Sequence, residues 1–345
     1  MPSTSIPIAD FERQGRVFVV AEIAQAHDGS LGILHSFIDA CAGSGVDAVK
    51  FQIHIAEAES SDAEPFRVAF SFADATRSDY WRRTGFTPEQ WSGVKAHCES
   101  ARVEFLATPF SNAAVDLLER LGVARYKIGS ADVTNGLLVE RIAKTGKEVI
   151  LSSGLATFKE IERVVDRLRP QGVAVLQCTT RYPTEANDVG LMAIGLLRER
   201  LRCPAGLSDH SAKIYAGIAA AALGASVVEV HATFDRKMFG PDSAASLTIG
   251  DLAQMVDGIR FVEKARSGEP GKTLTPDVVR LREIFGRSLA VNRDLEANHV
   301  IAIDDLEGKK PAGMGIPIER FAAIVGRRLT CKKARWDFLR EEDLA

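Results

Sequence analysis

The sequence predicts an α/β fold, namely a (β/α)₈ TIM barrel followed by a small β-rich domain. Eight times along the chain a short apolar run ends in polar or charged residues and is followed by a helical pattern. Strands that alternate with helices of about ten to fifteen residues indicate a parallel sheet. Eight such units are the number that closes a barrel. After about residue 287 the chain changes to short, turn-rich, β-like segments, so we assign residues 1–280 to the barrel and 281–345 to the second domain.

The composition is that of a globular protein with a large core. The chain has 345 residues, 46% of them hydrophobic, and a formal net charge of −3. This charge gives no electrostatic reason to expect a nucleic acid or an anionic membrane as partner. The five cysteines form no CxxC pair, and we expect reduced thiols. Because neither a signal-peptide pattern nor a bilayer-length apolar run is found, we expect a cytoplasmic protein with no membrane partner.

The chain begins with a polar lead-in at residues 1–15. After it, each predicted strand ends at residues whose side chains can take part in catalysis or bind a ligand. Active sites of (β/α)₈ barrels lie at the C-terminal ends of the strands, so this placement predicts an enzyme. The runs and their polar residues are 17–22 with Glu22, 47–52 with Lys50, 103–110 with Thr108, 125–130 with Lys127 and Ser130, 148–154 with Ser152, 173–180 with Thr180, 205–210 with Ser208 and His210, and 227–231 with His231.

The helices between these runs have ordinary amphipathic patterns. Residues 112–122 begin at a helix-favouring Asn112 and stop at Gly122, and the last barrel helix extends over 249–265. A long segment, about residues 54–87, interrupts the second unit and contains several aromatic residues. Loops of this length are usually lids or packed excursions, so we expect this one to lie over the barrel top or an interface.

Two histidines follow neighbouring predicted strands. Adjacent strands lie about 5 Å apart, so the imidazoles of His210 and His231 can reach one ion. A mixed nitrogen and oxygen site suits Mn²⁺ or a similar divalent metal. The alternative is two unrelated histidines, one bonded to a backbone carbonyl and one exposed. Their placement at neighbouring strand ends favours the metal.

Two lysines project into the same predicted barrel mouth. Together with the hydroxyls there, Lys50 and Lys127 fit a compact anion that carries carboxylate and phosphate. Each lysine could instead extend to solvent, and Lys127 could form a Schiff base as in barrel aldolases. Glu22 is a candidate general acid or base, with an ordinary capping or ion-pair role as the alternative.

As a set, the motifs resemble the sialic acid (nonulosonate) synthase family. The tail, from residue 287 through KKPAGMGI at 309–316, looks like that family's C-terminal antifreeze-like (SAF) domain, and the resemblance spans the whole chain. The matching motifs are AEIAQAHDGS (21–30), KFQ (50–52), ATPF (107–110), YKIGS (126–130), LSSG (151–154), CTTRYP (178–183), GLSDHS (206–211), EVHAT (229–233) and GPDSAAS (240–246).

The resemblance implies condensation of phosphoenolpyruvate (PEP) with an open-chain amino-sugar aldehyde, giving a nine-carbon 2-keto acid and phosphate. It implies Mn²⁺ or Mg²⁺ at His210 and His231, proton transfer by Glu22, and a homodimer in which the SAF domain of one subunit caps the partner's barrel. The residues implied to hold PEP are Lys50, Thr108, Lys127, Ser130, Ser152 and Ser208. Those implied for binding the acceptor are Asp132, Thr180, Arg181, Tyr182, Asp242 and Lys310.

Departures from the family pattern lie on the acceptor side. Ala26 stands where asparagine is frequent, Arg181 is an added guanidinium, Asp132 is shorter than the usual glutamate, and Lys310 replaces an arginine. The acceptor is therefore open between N-acetylmannosamine, a diacetamido-trideoxyhexose and a less usual aldose.

Three other functions remain as alternatives. One is a 3-deoxy-sugar acid synthase that uses PEP with a phosphorylated aldose, for which Arg181 is the argument. Another is a catalytically inactive carbohydrate-binding protein, and the third is a metal-dependent pyruvate aldolase, which would release no phosphate.

Overall fold

The computed structural model describes residues 5–268 and 271–345. By their internal contacts the residues form two compact units, 1–268 and 269–345. The helix Pro276–Phe285 belongs to the second unit, and the division assigned from the sequence, after residue 280, falls inside this helix. Each unit is described by itself below.

The first unit is a barrel of parallel strands, as predicted. Neighbouring strands pair in the order β3-β2-β1-β8-β7-β6-β5-β4, and β3 also lies against β4, so the barrel is nearly closed. A short ninth strand pairs with β8. The strands are β1 (Phe18–Glu22), β2 (Ala48–Ile53), β3 (Glu104–Pro109), β4 (Arg125–Ile128), β5 (Glu148–Ser152), β6 (Val173–Cys178), β7 (Ala205–Asp209), β8 (Val227–Thr233) and β9 (Leu247–Thr248).

Helices connect successive strands and pack on the outside of the barrel. Several begin at a threonine or serine whose hydroxyl accepts a hydrogen bond from the first turn, as Thr157 does for Glu160 N. The helices of this unit are α1 (Ile8–Arg13), α2 (Leu31–Gly43), α3 (Ala56–Glu59), α4 (Arg77–Thr84), α5 (Pro88–Ser100), α6 (Asn112–Leu121), α7 (Gly136–Ala143), α8 (Phe158–Leu168), α9 (Ala193–Leu201), α10 (Ile214–Ala222) and α11 (Ile249–Arg266).

The alternation of side chains along each strand sorts residues between two apolar layers. In β1, Val19 and Ala21 belong to the layer under the helices, whereas Phe18 and Val20 belong to a separate cluster with inward residues of the other strands. Because successive side chains of a strand face opposite sides, Glu22 is the next inward residue after Val20. The same period of two brings polar side chains into the barrel mouth from the other strands.

The predicted polar lead-in at residues 1–15 is wrong in part. Residues 8–13 form α1, whose Ile8 and Phe11 are buried in the inward-facing cluster. Phe11 meets Phe18 edge to face, with ring centroids 5.1 Å apart. An amphipathic helix of one and a half turns is too short to give a clear periodic signal, so the sequence did not show that this segment belongs to the core.

The long segment after β2 contains α3 and α4 and its own aromatic cluster. Tyr80 and Trp81 are buried there, with Phe66 and Phe70 packed against them. Phe70 also approaches Phe239, in the loop after β8, with ring centroids 5.4 Å apart. The segment therefore reaches the C-terminal face of the barrel, in agreement with the first of the two placements expected from its sequence.

The second unit has a small core of its own. β10 (Ser288–Val291) and β11 (Leu306–Lys309) form an antiparallel pair, and the helices are α12 (Pro276–Phe285) and α13 (Phe321–Ile324). Isolated bridges, such as the one from Val300 to Arg328, connect the remaining extended segments. The buried apolar residues are Leu289, Val291, Leu295, Ile301, Ile316, Ile324, Leu329, Leu339 and Leu344. The predicted β-rich texture after residue 287 agrees with this unit.

No helix in the described ranges is both long enough and apolar enough to cross a membrane. The cysteines of these ranges are all unpaired, and Cys41, Cys98 and Cys178 are buried.

Replacing Arg125 is expected to destabilise the barrel. Arg125, at the start of β4, is 2% exposed and donates to Glu104 Oε1 at 2.7 Å and to the Ile6 carbonyl at 2.8 Å, and it also pairs with Glu148. Arg125→Met leaves both carboxylates without their cation, which costs about 3–5 kcal/mol of unfolding free energy for a buried pair. Urea unfolding measures this loss.

The matched control for Arg125→Met is Arg141→Met. Arg141 pairs with Asp116 on the surface, where both side chains are more than a third exposed, so its loss is expected to cost less than about 1 kcal/mol. Equal unfolding free energies for the two variants would contradict the structural role assigned to Arg125.

Candidate active site

The inward-facing polar side chains converge at the C-terminal ends of the strands. They line a cavity of about 170 Å³. The residues that line it are Lys50, Gln52, Thr108, Phe110, Lys127, Gly129, Ser130, Ala131, Asp132, Ser152, Leu155, Cys178, Thr180, Tyr182, Ser208, His210, Glu229 and His231. Most of the residues predicted from the strand ends are therefore brought together here.

Lys50, on β2, is held between two carboxylates. Its Nζ lies 2.5 Å from Glu22 Oε2 and 3.3 Å from Glu229 Oε1, and it donates to Thr108 Oγ1 at 3.2 Å. Burial alone would lower the pKa of this amine, but Glu22 and Glu229 overcome that effect and raise it. Lys50 is therefore a fixed cation inside the barrel and does not extend to solvent.

Lys127, on β4, also faces the Glu229 carboxylate. Its Nζ donates to Ser152 Oγ at 2.6 Å and lies 3.5 Å from Glu229 Oε1. Burial lowers the pKa of Lys127, and the nearby Lys50 cation lowers it further, against the attraction of Glu229. The two lysines thus share one carboxylate although their pKa values are shifted in opposite directions.

Glu229 is a functional candidate that our list of site residues missed. It is 3% exposed, and its Oε1 accepts a hydrogen bond from Ser208 Oγ at 3.2 Å in addition to its contacts with the lysines. Burial opposes ionisation, yet Lys127, Lys50 and His231 together lower its pKa. The available signal was the strand period of two, since Glu229 lies two residues before His231 on β8.

Glu22 ends β1 and is completely buried. Besides its ion pair with Lys50, its carboxylate accepts a hydrogen bond from Ala24 N at 2.8 Å. Ala24 has a positive φ of 44°, so the chain turns back sharply after the strand and places this amide on the carboxylate. Glu22 does not line the cavity itself but lies behind Lys50.

His210 and His231 lie side by side, as predicted. Their ring centroids are 5.2 Å apart and both are buried. His210 Nδ1 lies 3.0 Å from the Thr179 carbonyl, which accepts a hydrogen bond only, so Nδ1 carries the hydrogen and Nε2 has a free lone pair. Burial and the neighbouring His231 lower the pKa of His210 to about 3, which keeps the imidazole neutral.

This pair fits a metal centre with two protein ligands. A neutral imidazole whose second nitrogen is bonded to a carbonyl is the usual form of a histidine ligand. Within residues 5–268 and 271–345 no group of three or more His, Cys, Asp or Glu side chains could hold a metal. Any metal here would therefore need further ligands from water or substrate.

Tyr182 lies beside His210 and is connected to Asp242 through Arg67. The centroids of the Tyr182 and His210 rings are 4.0 Å apart, and the guanidinium of Arg67 lies 4.1 Å from the centroid of the Tyr182 ring. Arg67 also pairs with Asp242 Oδ1 at 2.5 Å. Burial raises the pKa of Tyr182 well above the usual range. Arg67, which comes from the segment after β2, was not singled out in the sequence.

Three of the predicted acceptor residues do not line the cavity, namely Arg181, Asp242 and Lys310. Arg181 pairs with Asp188 Oδ2 at 2.9 Å, its side chain is 60% exposed, and it does not line the cavity. Lys310 belongs to the second unit, where its Nζ lies 5.2 Å over the Phe285 ring. Asp132 does line the cavity, and burial raises the pKa of its carboxyl.

A barrel of this kind, with buried amines, carboxylates and imidazoles at its strand ends, defines a (β/α)₈ enzyme. Comparison with known proteins identifies the family. The NeuB family model matches residues 37–270, and the chain belongs to the NeuB family, which confirms the resemblance seen in the motifs.

Three relatives match this chain over nearly their whole length, and each of the three is named as a synthase. The N,N'-diacetyllegionaminic acid synthase of Campylobacter jejuni is 31% identical over 334 residues, covering 94% of this chain and 99% of that protein. The human N-acetylneuraminate-9-phosphate synthase is 31% identical over 332 residues, covering 94% of this chain and 92% of that protein. A pseudaminic acid synthase of Campylobacter jejuni is 28% identical over 342 residues, covering 97% of this chain and 99% of that protein.

A solved structure supports the same family. The N-acetylneuraminic acid synthetase of Leptospira borgpetersenii, solved with citrate, superposes with a TM-score of 0.67 at 29% identity, covering 77% of this chain and 90% of that chain. The predicted barrel is thereby confirmed by both the strand pairing and a solved relative.

Proposed function

We propose that this protein condenses PEP with an open-chain amino-sugar aldehyde of the N-acetylmannosamine type, giving a nine-carbon 2-keto sugar acid and phosphate. The observation that carries the proposal is the buried cluster in which Lys50 and Lys127 share Glu229, with His210 and His231 in the same cavity. Membership in a family whose named relatives are synthases of legionaminic, pseudaminic and neuraminic acids supports the reaction class.

PEP is proposed to bind against the lysines and the neighbouring hydroxyls. Two amines near the phosphate stabilise the charge that the leaving group carries. Glu229 is added to the set here, as the carboxylate that keeps both amines oriented before PEP arrives. The proposed PEP-binding residues are Lys50, Thr108, Lys127, Ser130, Ser152 and Ser208.

In the proposed reaction, the electron pair of the PEP double bond forms a bond from C3 to the aldehyde carbon, and the aldehyde oxygen takes up a proton. Water adds to the cationic C2 and loses a proton, which leaves a hydroxyl and the phosphate ester on the same carbon. The bond from C2 to the ester oxygen then breaks, phosphate leaves with that oxygen and takes up the hydroxyl proton, and the hydroxyl becomes the 2-keto group. Glu22 is the proposed proton carrier for the groups at the reacting carbons. Because Lys50 lies between Glu22 and the cavity, with its Nζ 2.5 Å from Glu22 Oε2, the proton would pass through this amine. Holding both substrates in one cavity lowers the barrier by up to about 7–11 kcal/mol in favourable cases.

His210 and His231 are the proposed ligands of a divalent metal, Mn²⁺ or Mg²⁺. The charges of the cluster support this assignment, because Glu22 and Glu229 already balance Lys50 and Lys127. A multiply charged PEP anion needs further positive charge in such a cavity. When bound, the metal would supply Lewis acidity at the aldehyde oxygen.

The acceptor is proposed to bind on the side of the cavity formed by Asp132, Thr180 and Tyr182. Asp242 is proposed to contribute from beyond this lining, where it pairs with Arg67. Arg181 remains a weaker proposal, because its guanidinium is paired with Asp188 outside the cavity. The same pairing weakens the argument for a phosphorylated aldose, for which Arg181 was the main observation.

We also propose that the second unit is a SAF domain and that the protein is a homodimer in which this domain caps the partner's barrel, where Lys310 would contact the acceptor. The exposed apolar residues of α12, among them Ile284 (52%) and Phe285 (61%), support burial of this helix in an assembly. Sedimentation velocity should give twice the chain mass, and a monomer at micromolar concentration would contradict the dimer.

The test of the proposed function is phosphate release from PEP with Mn²⁺ across a panel of phosphorylated and unphosphorylated aldoses. We expect release with an N-acylated hexosamine, and its loss in His210→Ala but not in His35→Ala, a histidine on the outer helix α2. Release only with phosphorylated sugars would assign the protein to phosphorylated-aldose chemistry. Release with none of the sugars would contradict the proposal.

A further inference from the structure

We propose that His54 is a positioning residue that orients the side-chain amide of Gln52, so that the amide nitrogen faces the acceptor in the cavity. The inference rests on the proposed function for the identity of the acceptor. His54 follows β2 and lines no part of the cavity, whereas Gln52 does. The role is therefore an indirect one, exerted through Gln52.

Both ring nitrogens of His54 are engaged. Nδ1 lies 2.5 Å from Glu59 Oε1, and Nε2 lies 3.1 Å from Gln52 Oε1. The side chains of His54 and Glu59 are only 5% and 7% exposed, so water does not compete for these bonds. Ile55 N donates to the other oxygen of Glu59 at 3.3 Å, which fixes that carboxylate in turn.

The imidazole is also held flat between two aromatic rings. Trp81 lies 3.7 Å from it on one face and Phe110 lies 4.4 Å on the other, each tilted by only 10°. Trp81 comes from α4 in the long segment after β2, and Phe110 directly follows β3. Stacking on both faces leaves rotation in the ring plane as the main freedom, and the two hydrogen bonds remove it.

The partner atoms decide how Gln52 is oriented. Both contacts of His54 are to oxygens that only accept hydrogen bonds, so in this arrangement the imidazole ring is the donor toward Glu59 Oε1 and toward Gln52 Oε1. The Gln52 oxygen is thereby turned toward His54, and its amide nitrogen is left for the cavity. Across the described ranges no protein group accepts a hydrogen bond from that nitrogen.

The Gln52 amide nitrogen is thereby a fixed hydrogen-bond donor on the side of the cavity proposed for the aldose. Gln52 is the next inward residue of β2 after Lys50, one step further out of the barrel than the amine proposed for PEP. The amide nitrogen of Gln52 can donate a hydrogen bond to a hydroxyl oxygen or an acyl oxygen of the aldose. If the amide were free to flip, half of its orientations would present an oxygen instead and repel the same group.

The experiment measures acceptor and PEP kinetics in His54→Phe, which keeps the stacking and removes both hydrogen bonds. We expect the acceptor KM to rise about tenfold, the cost of one oriented hydrogen bond, with the KM for PEP unchanged. In a Gln52→Ala background the same substitution should add nothing further, because the two residues act through one contact. His97→Phe, at a histidine bonded to Asp39 on the outer helices, is the control.

A second measurement does not depend on activity. Nitrogen-15 NMR of the histidine rings should show hydrogen-bonded protons on both nitrogens of His54, with the Nε2 proton shifted in Gln52→Ala. If that proton is absent, or if His54→Phe folds and leaves the acceptor KM unchanged, the inference is overturned. If the wild type shows the NMR signature but condenses no aldose, the positioning of Gln52 stands and the proposed function fails.

Discussion

Replacing Lys127 with methionine is expected to reduce kcat/KM for PEP by about 10³-fold. The amine donates to Ser152 and faces Glu229 inside the barrel, where removal of one buried donor near developing charge costs about 10²–10³ in rate. The variant also leaves Glu229 with a single cationic neighbour, Lys50, and so weakens the orientation of that lysine. Steady-state phosphate release at varied PEP measures the effect.

The matched control for Lys127→Met is Lys147→Met. Lys147 pairs with Glu119 at 2.6 Å away from the barrel mouth, and its side chain is 26% exposed. This variant should keep kcat/KM for PEP within about twofold, since it removes only a partly exposed pair. A Lys127→Met enzyme that retained wild-type kcat/KM would contradict the placement of PEP against this lysine. Lys127→Arg distinguishes charge from shape, because a guanidinium does not fit the Ser152 contact in the same geometry.

The second large effect is expected for Glu22→Gln. The substitution preserves the size of the side chain and one acceptor oxygen for Ala24 N, but it removes the carboxylate that pairs with Lys50. If Glu22 carries a proton at the reacting carbons, kcat should fall by about 10²–10⁴, while the KM for PEP changes much less. Rapid-quench measurement of a single turnover separates the chemical step from product release.

Glu59→Gln is the matched carboxylate control for Glu22→Gln. Glu59 is buried at 7% exposure but lies behind His54, away from the lysines, so its loss should change the acceptor KM and leave the chemical step intact. Equal loss of kcat in both variants would contradict a specific proton-transfer role for Glu22. A stable Glu22→Gln enzyme with normal turnover would contradict it as well.

The barrel could be predicted because the same sequence pattern, an apolar strand followed by an amphipathic helix, is repeated eight times. Each of the eight runs has the length and the apolar composition of a buried strand, and each predicted strand is present. The polar residues at the strand ends follow from the same pattern. The side-chain period of two along a strand also leads from His231 back to Glu229 and from Lys50 on to Gln52. Applying it would have added these two residues, which line the cavity and were missing from the predicted site.

Other parts of the site depend on contacts that no local pattern encodes. Arg67 reaches Tyr182 and Asp242 from a segment more than a hundred residues away in sequence. Arg181 was assigned to the acceptor by its position in a motif, but the nearby Asp188 offers a better partner. In such cases the outcome depends on tertiary packing, which a single sequence does not specify.

The motifs depart from the resembled pattern at Ala26, Asp132, Arg181 and Lys310, all on the side proposed for the acceptor. On the side proposed for PEP the motifs show no such departure. The two sides also differ in structure. On the side proposed for PEP, Lys50 and Lys127 form a network of ion pairs on the strands, whereas on the side proposed for the acceptor Arg67 reaches Tyr182 and Asp242 from a loop.

The most direct test of the central proposal uses PEP labelled with oxygen-18 at the oxygen that bridges C2 and phosphorus. With Mn²⁺ and an N-acylated hexosamine, the account predicts that the label leaves with inorganic phosphate and that a nine-carbon 2-keto acid is formed in equal amount. Mass spectrometry of both products follows the label. Label retained in the keto acid, or phosphate released without a condensed sugar, would contradict condensation by C–O cleavage.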